Sequence, residues 1–179
     1  MNSQFQTHFD QLEKNKALTW QMLGNVDETM FHWKKNEHTW SMAQILDHVI
    51  FSEASALAYC QKKMLAGDDM PNATLFNSLK IRLYFWALQT KLKFKAPKPI
   101  SNPNNDKSLD EMKQYWNQTR EAYVSFLDGY PDKYLKKAVF RHPLAGRIML
   151  SEMLRFLNTH IIHHQFQITR TIDSFDKAS

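Results

Sequence analysis

A single cysteine, Cys60, means that no disulfide can close within the chain and no zinc site can be assembled from several thiolates. Any metal here must be held by nitrogen or oxygen. Glycine and proline are nearly as scarce, with four and six residues in 179. So few breakers, beside many Leu, Met, Gln, Lys and Glu, argue against a turn-rich β fold and for long helices. No run approaches the roughly 18 consecutive apolar residues of a membrane-spanning helix. The opening Met1-Asn2-Ser3-Gln4-Phe5-Gln6 has neither the basic segment nor the apolar stretch of a secretory leader. A cytoplasmic protein with no membrane partner is the expectation. Excess charge is small too, at +5. The charges are scattered apart from Lys91, Lys93, Lys95 and Lys98 around Phe94. These lysines fall short of the roughly six to ten phosphate contacts behind tight, salt-steep nucleic-acid binding. A solvated segment is the plainer reading, so no nucleic-acid partner is expected.

Against these absences stands a 43% hydrophobic composition with five Trp, six Tyr and twelve Phe. In a chain of this length that is enough for one domain, 1–179, around a bulky core. Residues 3–23 place Phe5, Phe9, Leu12, Ala17, Trp20 and Leu23 at helical spacing, with Gly24 as a left-handed stop. A link rich in aromatics covers 25–40. Ser41-Met42-Ala43-Gln44 reads as a capping box. It opens a second helix with Ile45, Leu46, Val49, Ala56, Leu57, Cys60 and Met64 inward and Gly67 at its end. Residues 75–92 suit a shorter helix with Leu79, Leu83, Trp86 and Leu88 inward, followed by an extended, proline-containing crossover. Ser108-Leu109-Asp110-Glu111 is a second capping box, for a helix closed by Gly129 and Pro131. Residues 134–147 form a connection containing His142-Pro143-Leu144-Ala145-Gly146. The last helix runs over 149–172, and 173–179 is expected to fray. The sum is all-α, a four-helix bundle with a long crossover between the second and third main helices.

The last helix carries the most pointed chemistry. Leu150, Leu154, Leu157, Ile161, Ile168 and Ile172 recur at three- and four-residue steps, the pattern of an amphipathic helix. His164 falls on that stripe and His160 lies one turn earlier on the same side. An i,i+4 histidine pair facing a core offers two imidazoles to one metal ion. The same spacing also suits two core histidines whose ring nitrogens are satisfied within the protein. A third ligand would decide between them. His48, at the edge of the second helix's buried face, is a candidate, and is equally readable as a structural histidine. His142 and Glu53 are candidates for a fourth ligand. Asp47 and Glu53 flank His48 without a clear direction, so no general base stands out.

Trp40-Ser41 before a helix with His48, then His-Pro-Leu-Ala-Gly, then His160-x-x-His163-His164-x-x-Gln167-Ile168 resembles, in order and spacing over nearly the whole chain, the DinB/YfiT-like superfamily. The resemblance implies a four-helix bundle and a divalent metal, zinc or nickel, held by His48, His160 and His164, with His163 at a non-liganding position. Phe166 stands where many relatives have glycine, a departure that touches no proposed ligand. It also implies a metal-dependent enzyme, a thiol S-transferase or a hydrolase acting on a small-molecule substrate, with a low-molecular-weight thiol as co-substrate in the first case. The alternative is a non-catalytic metal-binding or scaffold bundle, which a closed site with a fourth protein ligand would favour. Exposed aromatics leave a homodimer open.

Overall fold

The structure is a computed structural model and describes residues 1–88 and 103–178. Four long helices form the bundle: α1 (Ser3–Met22), α3 (Met42–Met64), α5 (Leu109–Asp128) and α6 (Leu150–Asp176). A one-turn α2 (Glu28–His32), a peripheral α4 (Leu75–Leu88) and a small hairpin, β1 (Phe140–His142) with β2 (Gly146–Ile148), complete it. Both capping boxes form as the sequence implies. Ser41 Oγ accepts from the Gln44 N–H at 3.0 Å while Gln44 Oε1 accepts from the Ser41 N–H at 3.2 Å, and Ser108 and Glu111 repeat the exchange on α5. No described helix is long and apolar enough to cross a membrane.

Polar contacts fix the helix directions. Asp47 meets Lys107 and Glu53 meets Arg120, so α3 and α5 run parallel. The N-terminus meets Asp128 and Glu13 meets Arg120, so α1 opposes α5. Asn15 meets Asn158 and Thr19 meets Gln165, so α1 and α6 run together. Parallel neighbours cannot be joined by a short turn, and α3 is joined to α5 by residues 65–108. The middle of that crossover, 89–102, lies outside the described residues, and with it the lysine cluster around Phe94. The side chains of Trp86 and Leu88, expected inward on α4, also lie outside them.

Several local expectations are overturned. On α1 the buried stripe runs through Asn15 and Thr19 while Ala17 is exposed. The two polar residues take core positions because α6 supplies their partners. Gly24 is not left-handed; the positive φ angles belong to Gly67 (+51°) and Gly146 (+81°). Along α4, Leu79 and Leu83 are 57% and 61% exposed, and Ile81 is buried. Leu75, Leu79 and Leu83 make one apolar stripe and Ile81 and Tyr84 fall on another side, so the sequence of α4 alone gives no unique phase. The connection at 134–147 holds the β-hairpin, turned at Gly146. The helix expected to fray after 172 continues to Asp176, held by Phe175 packing edge-on against Trp33 with ring centroids 5.5 Å apart.

The most buried carboxylate among the described residues is Glu53. Its carboxylate accepts from Trp116 Nε1 at 2.9 Å and Arg120 Nη2 at 3.0 Å, and its backbone oxygen accepts from the Tyr123 hydroxyl at 2.9 Å. Burial pushes the carboxyl's pKa up and the Arg120 guanidinium pulls it down. Glu53→Ala strands the Arg120 charge beside Glu13 alone, and breaking a buried pair in this way costs about 3–5 kcal/mol. Urea denaturation should therefore show a large fall in the unfolding midpoint for E53A. Lys133→Ala, which removes an exposed pair with Asp68 and a contact with the Tyr134 ring, should leave the midpoint nearly unchanged.

Candidate metal centre

The apolar stripe of α6 buries Leu154, Leu157, Ile161 and Ile168 and carries His160 and His164 with them. The helix starts at Met149, whose N–H donates to the Glu152 carboxylate at 2.9 Å. On α3, His48 lies two turns past the Ser41 cap and faces the same point. All three rings are buried, at 4%, 8% and 5% exposure for His48, His160 and His164. His160 Nε2 lies 3.1 Å from His48 Nε2 and 3.1 Å from His164 Nε2. One ligand-capable nitrogen from each ring falls within 4.8 Å of the others.

These side chains fit a divalent ion. Metal–nitrogen bonds of about 2.0–2.1 Å place two tetrahedral ligand nitrogens roughly 3.3 Å apart, and right-angled ones about 2.9 Å. The two 3.1 Å separations lie between those values. Ligation requires neutral rings. Burial, then the neighbouring imidazoles, hold His160 well below the usual histidine pKa, and burial, then His48, does the same for His164. His164 Nδ1 lies 2.9 Å from Gln167 Oε1, which leaves Nε2 for the cluster. His160 Nδ1 is buried with no hydrogen-bond partner among the described residues, so His160 is not a core histidine with satisfied ring nitrogens. The donor set, three imidazoles and no thiolate, suits a divalent transition metal.

The sequence candidates thus divide. His48, His160 and His164 come together. Glu53 does not join them, because its carboxylate is taken by Trp116 and Arg120. Asp47 is held by Lys107 Nζ at 2.7 Å and by the Asn104 N–H at 2.9 Å. His142 is committed to its own hairpin, where Nδ1 accepts from the Leu144 and Ala145 N–H groups at 3.2 and 3.1 Å. Its ring packs on Phe156, which in turn packs on His160. Tyr84, His142 and Phe156 pack together, and Phe156 stacks one turn below His160 with centroids 5.4 Å apart. Trp40 covers His48 from the other side at 5.1 Å. Phe156 is legible as the i−4 neighbour of His160. Tyr84 was hidden by the misjudged phase of α4.

The family model of the DinB superfamily matches residues 11–168. No curated protein matches the chain. Among solved structures, the chain is similar to YfiT from Bacillus subtilis, a probable metal-dependent hydrolase with an unusual four-helix bundle topology. The TM-score is 0.56 at 17% sequence identity, over 93% of this chain and 84% of that one. At that identity the likeness speaks for the fold.

Burial pushes the His142 pKa from 6.5 down to about 4. The unfolded chain takes up a proton below about 6.5 and the folded chain does not until about 4. The contribution to stability is therefore complete above 6.5 and lost as pH falls through that window, on the order of 3 kcal/mol. His142→Asn keeps an acceptor for the two amides and does not titrate. Urea unfolding with chelator present, from pH 7.5 to 4, should show a shallower loss for H142N than for the wild type. Parallel curves would mean that His142 titrates normally in the folded state.

Proposed function

The chain belongs to the DinB superfamily, and from that premise we propose that it is a metal-dependent enzyme. His48, His160 and His164 hold a divalent ion, zinc or nickel, for attack by water or a low-molecular-weight thiol on a small substrate. The observation that carries this reading is the convergence of three buried imidazole nitrogens from two helices within 4.8 Å. When bound, such an ion brings water or a thiol to its anionic, nucleophilic form near neutral pH.

The chain's own residues supply the rest. Three neutral ligands leave a coordination position open, as catalytic rather than structural sites do. The two candidates for closing it, His142 and Glu53, are both committed elsewhere. That favours catalysis over a scaffold. Trp40 packs on His48 and Phe156 on His160, with Tyr84 and His142 behind Phe156, and this aromatic surround suits a small, partly apolar substrate. A thiol nucleophile would have to come from a co-substrate. Cys60 is fully buried and its pKa is raised far above the usual thiol range by burial. Hydrolysis needs no second substrate and matches the description of YfiT; S-transfer uses the same activation.

Elemental mass spectrometry on tag-free protein should find about one divalent ion per chain, lost in His164→Ala. The loaded protein should then turn over simple esters or amides, or transfer a small thiol to an electrophile, and H164A should not. Wild-type protein that takes up no metal after loading would overturn the proposal. So would a loaded protein inert towards both reaction classes.

A further inference from the structure

We propose that Gln167 is a positioning residue for the metal centre: its amide oxygen fixes His164 as the Nδ1–H tautomer and aims the Nε2 lone pair at the ion. The inference rests on the three-histidine reading above and deepens it. A neutral imidazole has one N–H and one lone pair, and whichever nitrogen is engaged elsewhere decides which is left to ligate. On α6, residues 160, 164 and 167 lie along one face at i, i+4 and i+7. Gln167 is therefore the side chain that can reach the far nitrogen of the His164 ring. Its Oε1, which can only accept, lies 2.9 Å from Nδ1.

The orientation of the Gln167 amide is held by a second contact. Its Nε2, which can only donate, lies 3.2 Å from Nε2 of His163. The adjacent histidines thus have different parts. His164 faces the cluster, and His163 lies outside it and orients the amide that orients His164. The reverse amide orientation would move the His164 proton to Nε2, pointing into the nitrogen cluster and removing a ligand.

The centre is asymmetric in this respect. His160 Nδ1 has no hydrogen-bond partner among the described residues, so that ring is held by its stacking neighbours Phe156, His48 and His164. A hydrogen bond orients one α6 ligand and ring packing orients the other. Losing the outer partner of a ligating histidine typically weakens metal binding 10–100-fold, and a carboxylate in its place raises the ligand's basicity.

The test has two arms. Nitrogen-15 ring shifts on histidine-labelled, metal-free protein report the His164 tautomer directly. The wild type and Gln167→Glu should show Nδ1–H, and Gln167→Leu should lose that preference. Chelator competition should show affinity for zinc or nickel weakened 10–100-fold in Q167L and at least preserved in Q167E. An Nε2–H tautomer in the wild type, or unchanged metal affinity in Q167L, would overturn the role of Gln167. If the wild type binds no metal, the three-histidine reading falls, while the tautomer measured without metal still decides whether Gln167 fixes His164.

Discussion

Arg120 carries a positive charge into the middle of the bundle, and the carboxylates that compensate it come from two other helices. Glu53 on α3 and Glu13 on α1 both meet its guanidinium. A buried charge tolerates little displacement of its partners, because partial exposure of one member leaves the other uncompensated. This junction therefore sets the heights of α1, α3 and α5 relative to one another. Asn15 and Thr19 pass the register on to α6 through Asn158 and Gln165. A chain of polar contacts thus runs from α3 through α5 and α1 to α6, and closes where His48 of α3 meets His160 and His164. A slip of one helical turn, about 5.4 Å, would carry the histidines out of reach of one another. The apolar core would resist such a slip only weakly, since hydrophobic burial is non-directional.

That division of labour explains what could be read in the sequence. Signals contained within one element were legible: the two capping boxes, the α6 stripe and the i,i+4 histidine pair. His48 is different, because nothing in its own helix distinguishes it from a core histidine. Its place in the trio came from the resemblance of the whole pattern to a family. Asn15, Thr19 and Arg120 broke the expected apolar stripes because each is paired across helices, and the partner is invisible in the residue's own helix. The hairpin strands are three residues each, too short for alternation to show. The outward face of α4 shows the same limit, since Leu75, Leu79 and Leu83 form a good stripe that packing on α6 and β2 did not choose.

The centre also joins stability to chemistry. Three converging imidazoles would repel one another if protonated, and burial favours the neutral form of His160 and His164. The same burial lowers the pKa of His160 and His164 and that of His142 in the adjoining hairpin. A site whose ligands are neutral before the ion arrives does not first have to release protons, which weakens the pH dependence of metal uptake near neutrality. The neutral rings lose stabilisation towards acid pH, where the unfolded chain binds protons that the folded chain refuses.

Two of the three clustered histidines lie on one helix and the third on another, which constrains the proposed centre. The His160–His164 spacing is fixed by the rise of α6, while the distance to His48 depends on how α3 is held. Ser41 caps α3 two turns before His48, and Asp47, beside it, is tied to Lys107 and the Asn104 backbone. The backbone that carries His48 is thus restrained at the preceding residue and again at Glu53. Were His48, His160 and His164 to hold an ion as proposed, their placement would leave a position for water or substrate. Geometry held before the reaction is what an enzyme needs from its scaffold. A purely structural metal would need a fourth side chain, and of the two candidates Glu53 is spent on Trp116 and Arg120 and His142 on its hairpin.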